Sequence, residues 1–296
     1  MTASTPATAA WHAERDRLLG IAYRMLGDFG HAEDVVSEVA IEAVRAERTA
    51  AGAVRSWPAW LTTVCVRRSI DSARRQAAAR EEYPGPWLPE PVATQRLPED
   101  AVANRELLSV VLLHLAEQLA PEARAALILH RAFDMSSVEI GEILDKSPAA
   151  VRQMISRAER RLQIDPDAAS IPQANHAAVE KLVTAIEAGD IDTVLAMLDR
   201  DAILWSDGGG KVRSARNPLF GAENIVRFLV GILASAARDF PDQPARFEVI
   251  DINGGPAIRF HLPGRRDVVS IEFASHGLIR GVRQVANPEK LTRIEN

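Results

Sequence analysis

The chain has 296 residues, enough for about two or three domains, and nearly half of them are hydrophobic. No apolar run approaches the ~20 residues of a membrane span, and the opening MTASTPATAA lacks the basic and apolar regions of a secretory signal, so residues 1–10 read as a disordered tail. The net charge of −5 excludes a protein that coats nucleic acid indiscriminately. The single cysteine, Cys65, excludes an intrachain disulfide and a cysteine-based metal site, and fits a reducing, cytoplasmic setting.

Residues 11–80 carry Ala, Leu, Val and charges at helical spacing and form a first helical domain. Within it Asp34, Glu38 and Glu42 fall at successive i, i+4 positions, so three acids stack on one ridge. That ridge is either a solvated acidic face or a docking surface for a basic partner. Trp57 and Trp60 then open a helix that leads into Arg67, Arg68, Arg74, Arg75 and Arg80, opposed only by Asp71. Aromatics ahead of a basic helix can stack unpaired bases, although Trp60 also suits a core. Residues 81–99 hold five prolines up to Pro98 and form a linker.

Residues 100–164 are helical again and end in the pattern that carries most information, SSVEIGEILDKSPAAVRQMISRAERRL from Ser136 to Leu162. Ser136 and Glu139 have capping-box spacing, and Ser147-Pro148 supplies an N-cap followed by proline at the first helical position. In the second helix Val151, Met154, Ile155, Ala158 and Leu162 make one apolar stripe. Arg152, Gln153, Ser156, Arg157, Arg160 and Arg161 take the rest of its surface, where forked donors can reach base edges and phosphates. The pattern is a helix-turn-helix; its bland alternative is a helical hairpin with a solvated basic face.

From residue 173 the pattern changes. Helices over 174–188 and 190–198, a hairpin formed by 202–206 and 211–215 around the turn Asp207-Gly208-Gly209-Gly210, a helix over 221–236 and four strands within 246–285 make an α+β domain over 173–296.

The acidic ridge, the run AWLTTVCVRRSIDSARR, the linker and the basic helix-turn-helix together resemble the bacterial sigma factors of the extracytoplasmic-function (ECF) group. Three further motifs, WLPEP (Trp87, Leu88, Pro89, Glu90, Pro91), DGGGK (Asp207, Gly208, Gly209, Gly210, Lys211) and NPEKL (Asn287, Pro288, Glu289, Lys290, Leu291), are similar to those of the subgroup with a SnoaL-like C-terminal extension. The resemblance implies two all-α sigma domains, the second a helix-turn-helix, followed by a cone-shaped domain of the SnoaL-like, ketosteroid-isomerase-like kind. It implies a transcription initiation factor whose partners are core RNA polymerase (β′ coiled coil, β flap) and promoter DNA, with no separate anti-sigma factor required, no membrane, no cofactor and no metal. Carried over by position, Asp34, Glu38 and Glu42 dock polymerase, residues 49–56 form the −10 loop, and Trp57, Arg67, Arg74 and Arg75 meet −10 DNA. Arg152, Gln153, Ser156, Arg157, Arg160 and Arg161 meet −35 DNA, the last two as phosphate contacts. The three motifs would carry interdomain regulation. Two departures bear on the docking of the recognition helix: Asp145 stands where a glycine is common, and Gly141 where alanine is commoner.

Rival readings are a helix-turn-helix regulator that works without polymerase, and a SnoaL-like enzyme or sensor fused to a DNA-binding module. The C-terminal domain has no tyrosine, and its candidate acid/base residues Asp201, Asp207, His176, His261, Glu272 and His276 show no paired spacing, so no enzymatic activity is expected. A pocket lined by Trp205, Phe228, Phe247, Phe260 and Phe273 would make a small-molecule ligand a further partner; a filled core is the alternative. Tyr83, Trp87 and Leu88 on the proline-stiffened linker are expected to dock near DGGGK or NPEKL.

Overall fold

The computed structural model describes residues 5–49, 54–97, 107–163 and 175–294, and the chain divides into two compact units. The first joins the helices up to Arg80 with those that lie between Leu112 and Leu162; the second joins residues 82–96 to the C-terminal domain.

The first unit opens with α1 (Pro6–Leu26), α2 (Phe29–Thr49) and α3 (Trp57–Arg80). The disordered tail expected over residues 1–10 is corrected from Thr5 onward. Thr5 caps α1 by accepting from the Thr8 N–H, Pro6 takes a first-turn position, and Ala7 is fully buried with its N–H on the Glu47 carboxylate at 2.9 Å. The Thr-Pro pair is the same start signal as Ser147-Pro148. Leu18, Ile21, Met25 and Leu26 of α1 close on Val35 and Val39 of α2 and on Leu61, Cys65 and Val66 of α3, all buried. Burial pushes the Cys65 thiol up to about 12, so this cysteine is an inert core group.

After α4 (Val110–Ala116) come α5 (Pro121–Phe133), α6 (Ser137–Leu144) and α7 (Pro148–Leu162). Leu127 and Leu129 of α5, Ile140 of α6 and Val151, Ile155, Ala158 and Leu162 of α7 are all buried. The apolar stripe read from the sequence is therefore the buried side of the recognition helix, with Met154 half-buried at its margin.

The second unit is built on one six-stranded sheet of β1 (Leu198–Asp207), β2 (Leu219–Phe220), β3 (Arg246–Ile252), β4 (Gly255–Leu262), β5 (Arg265–Phe273) and β6 (Ile279–Val285), in the order β2-β1-β6-β5-β4-β3. Only the β1/β6 pair is parallel. Strand alternation divides the side chains between two faces. Leu204, Ile258, Phe260, Val269, Ile271 and Val282 meet α8 (His176–Glu187), α9 (Ile191–Met197) and α10 (Ala222–Asp239). Trp205, Ala257, Val268 and Val285 point the other way, toward Leu88, Leu291 and Ile294.

The hairpin expected around Asp207-Gly208-Gly209-Gly210 is not formed. β1 pairs instead with the distant two-residue β2 through Ile203 and Leu204. β1 ends at Asp207, whose carbonyl accepts the N–H groups of Ala286 (2.7 Å) and Asn287 (2.9 Å), the last bonds to the segment that follows β6.

Candidate nucleic-acid interface and linker latch

The helix-turn-helix depends on two unusual residues. Asp145 ends α6 at φ +55°, the left-handed conformation in which asparagine and aspartate are the tolerated alternatives to glycine. The turn then brings Lys146 back onto α6, where its N–H reaches the Gly141 carbonyl at 2.9 Å. A Cβ at Gly141 would stand 2.6 Å from the Lys146 carbonyl oxygen. Gly141 is therefore more than a weak helix residue; it gives the turn room to close. The caps also form: Ser136 and Glu139 make a reciprocal capping box, and the Ser147 hydroxyl accepts from the Ala150 N–H at 3.2 Å.

With the apolar stripe of α7 buried, Arg152, Gln153, Ser156, Arg157, Arg160 and Arg161 are all exposed. Five of them, with Ala149, line a shallow open cleft along the helix. Arg160 turns its Nε to the Ser156 carbonyl at 3.2 Å, while Glu159, on the other side, is buried near Arg131 at 3.9 Å.

The arginines of α3 are differently placed. Arg67 donates from Nε to the Ile143 carbonyl at 3.2 Å, at the end of α6. Arg74 reaches Glu122 of α5 at 3.0 Å, and Lys146 reaches the same carboxylate at 2.9 Å. These partners hold Glu122 below the usual carboxylate range, the Lys146 hydrogen bond contributing most. Arg75 stays exposed. Arg80, read as part of the basic cluster, instead pairs with Glu117 and donates to the Leu26 carbonyl at 3.1 Å.

Arg124 completes the clasp between the two helical bundles, donating to the Met25 carbonyl and to Glu117, both at 2.7 Å. Burial lowers its guanidinium to about 10, which leaves it charged at neutral pH. Phe133 of α5 receives Arg24 and Arg17 on its ring at 5.3 and 5.6 Å. Glu117 lies in the turn between α4 and α5, so no helical spacing in the sequence links it to Arg124.

On α2, Asp34 and Glu38 are exposed and Glu42 is half-buried. Arg68 of α3 forms an ion pair with Glu42 and lies 4.0 Å from Glu38. The ridge is thus partly neutralised by its own bundle, and Asp34 is its most independent acid. Trp57 and Trp60 are half-buried and meet edge to face at 5.5 Å. Of the expected −10 loop, residues 50–53 lie outside the described residues.

In the second unit the three motifs meet on one buried carboxylate. Asp207 is fully buried, and each of its oxygens has two donors. Oδ1 accepts from the Tyr83 hydroxyl (2.6 Å) and the Gly209 N–H (3.0 Å). Oδ2 accepts from the Leu88 N–H (2.9 Å) and Lys290 Nζ (2.6 Å). Lys290 Nζ also donates to the Leu88 carbonyl at 2.6 Å and lies over the Trp87 ring at 4.1 Å and the Tyr83 ring at 5.0 Å. Asn287 donates to the Tyr83 oxygen at 3.0 Å, and a Cβ at Gly209 would collide with that asparagine. Around this latch Glu90 takes Arg293 at 3.0 Å, Lys211 takes Glu289 at 2.9 Å, and Val92 exchanges two 2.9 Å hydrogen bonds with Asn253. Leu88, Pro89, Glu90 and Pro91 are all buried. Pro288 opens a short 3-10 turn that delivers Lys290 and Leu291 inward.

The sigma-70 region 2 family matches residues 11–79, and the sigma-70 region 4 family matches residues 109–162. The chain is 35% identical over 228 residues to the ECF RNA polymerase sigma factor SigJ of Mycobacterium tuberculosis, covering 75% of this chain and 72% of that protein. The chain belongs to the ECF RNA polymerase sigma factors. It is also 31% identical over 204 residues to the probable ECF RNA polymerase sigma factor SigI of the same species, covering 67% of this chain and 69% of that one. A crystal structure of M. tuberculosis SigJ aligns with a TM-score of 0.75 at 29% identity, covering 96% of this chain and 98% of that one. The likeness therefore extends through the sigma regions into the C-terminal α+β domain.

In this ECF sigma factor the acid/base candidates of the α+β domain are scattered surface pairs: His176–Asp251 at 2.9 Å, His276–Asp199 at 3.0 Å and His261–Glu248 at 3.6 Å. Glu272 is held by Arg280 and Arg283. Tyr83 does enter this unit from the linker, but burial and its hydrogen bond to Asp207 raise its pKa, so it stays a neutral donor. Of the five aromatics expected to line a pocket, Phe260 lines the cavity between helices and sheet. Trp205 faces the opposite side, stacked at 4.7 Å on the fully buried Arg283. Among the described residues no helix is long and apolar enough to cross a membrane.

Proposed function

We propose that this sigma factor reads −35 DNA with the exposed face of α7 and −10 DNA with Trp57, Arg67, Arg74 and Arg75. The α2 ridge of Asp34, Glu38 and Glu42 meets core polymerase. The observation that carries this reading is the asymmetry between the two basic helices. The base-reading face of α7 is free, whereas Arg67 and Arg74 of α3 are held by the Ile143 carbonyl and Glu122. Elements named for positions roughly 25 base pairs apart lie about 85 Å apart along B-DNA. A unit of this size has a radius of gyration of about 15 Å. Both helices therefore serve one promoter only after the clasp opens, and polymerase and DNA supply the energy by binding the open form.

The segment 82–96, held by the Asp207 latch, acts as the tether between the sigma domains, and the C-terminal domain sets what that tether permits. The domain works in regulation and not in catalysis: its acid/base groups are surface pairs or saturated hydrogen-bond acceptors. It takes the place of a separate anti-sigma factor, and the protein acts with polymerase in the cytoplasm.

Run-off transcription with bacterial core polymerase tests the reading. Arg152→Ala with Arg157→Ala should abolish promoter-specific transcripts, while Glu122→Gln should raise them by up to about two-fold by loosening a solvent-screened contact of the clasp. A transcript yield unaffected by both changes would refute the assignment.

A further inference from the structure

The α+β domain contains a cavity of about 380 Å³ between the sheet and the helices α8, α9 and α10. Phe260, Val269, Ile271 and Val282 form its floor, and Leu229 and Leu233 of α10 form much of its roof. Asp190 is the only charged side chain in the lining. It is exposed at the rim, and its oxygens already accept the Thr193 N–H at 3.0 Å and the Thr193 hydroxyl at 2.6 Å.

A second observation concerns α10 itself. Only Ile225 and Val226 of this 18-residue helix are buried. Leu229 and Leu233 line the cavity half-buried, and Val230 at its mouth is 40% exposed, as Ile191 is 45% exposed. An apolar helix face over a well-filled core would bury these side chains; here they border unfilled space. Cavities lined by hydrocarbon stay dry and take up apolar molecules, whereas water needs polar partners to enter.

We propose that this cavity is a binding site for an uncharged, apolar small molecule. At about 30 Å³ per non-hydrogen atom the space holds roughly a dozen such atoms. A charged head group would find no counter-ion inside, where an unpaired charge is strongly disfavoured, and a carboxylate at the mouth would meet Asp190. The site is separate from the promoter-reading surfaces, and its occupancy is measurable whether or not the transcription assay succeeds.

The full-length protein is titrated with 1-naphthylamine, an uncharged fluorescent probe whose size matches the cavity, and the probe is then displaced with n-decanol or with decanoate. Saturable fluorescence, with n-decanol displacing at least ten-fold better than decanoate, is expected. Ala185→Leu and Val226→Phe place bulk in the cavity from α8 and α10, and circular dichroism and a melting curve identify which variants are folded. A folded filled variant should lose probe affinity at least ten-fold. Four results would overturn the proposal: no saturable binding, equal displacement by the two ligands, binding undiminished in both filled variants, or a dimer that covers α10, seen by sedimentation and abolished by Val230→Lys.

Discussion

The clasp in the sigma unit and the latch in the C-terminal unit are both made of charged groups, yet water reaches them very differently. In the clasp, the Arg74–Glu122–Lys146 cluster has side chains 56%, 37% and 30% exposed. In the latch, Asp207 is fully buried and the Lys290 side chain is 10% exposed. An exposed ion pair is worth a few tenths of a kcal/mol and exchanges readily with solvent or another partner. A dry carboxylate with four donors is bound to its surroundings, because losing any donor leaves a buried polar group unsatisfied. The first arrangement suits a contact that must open during the working cycle, the second a segment that must stay seated. Arg124 and the Arg80–Glu117 pair form the drier part of the clasp: Arg124 is buried, and the Arg80 and Glu117 side chains are each 18% exposed.

Breaking the latch should have the largest effect. Asp207→Ala strands Lys290 and the Leu88 N–H and should cost about 3–5 kcal/mol, read as a lower melting temperature and faster proteolysis within residues 82–96. Arg124→Met should cost about 3 kcal/mol, because Glu117 and the Met25 carbonyl lose a buried donor. Protection of α1 amides against hydrogen exchange should fall with it. Gly141→Ala puts a methyl group against the Lys146 carbonyl and should cost about 1–3 kcal/mol by overpacking, with loss of promoter binding greater than the change in stability implies.

The smallest effect comes from acid. Glu122 has a folded pKa below its unfolded value, so its contribution is present above the ordinary carboxylate range and disappears as pH falls through the depressed folded value. Solvent screening limits that contribution to a few tenths of a kcal/mol. A pH titration of clasp opening, followed by a fluorophore pair on α3 and α5, should show the opening move to higher pH in Lys146→Met and disappear in Glu122→Gln. If the latch opened in the same range, the contrast between a wet and a dry contact would fail.

The caps of α6 and α7 and the apolar stripe of α7 were legible in the sequence because each depends on residues within one or two turns of one another. The start of α1 at Thr5-Pro6 is equally local, a capping hydroxyl followed by proline. The exposed donors of α7 followed from the same periodicity, since a buried stripe fixes which side chains remain outside.

Tertiary structure alone decided the rest. The glycines after Asp207 read as a hairpin turn until the tail at Asn287 is seen occupying that space. The ion pair of Arg68 with Glu42, the Arg67 bond to Ile143 and the convergence of Tyr83, Leu88 and Lys290 on Asp207 join residues 26 to 124 positions apart. Helical periodicity and capping are short-range and are written in adjacent residues. Which charges neutralise one another, and which become dry, depends on which surfaces the whole chain brings into contact.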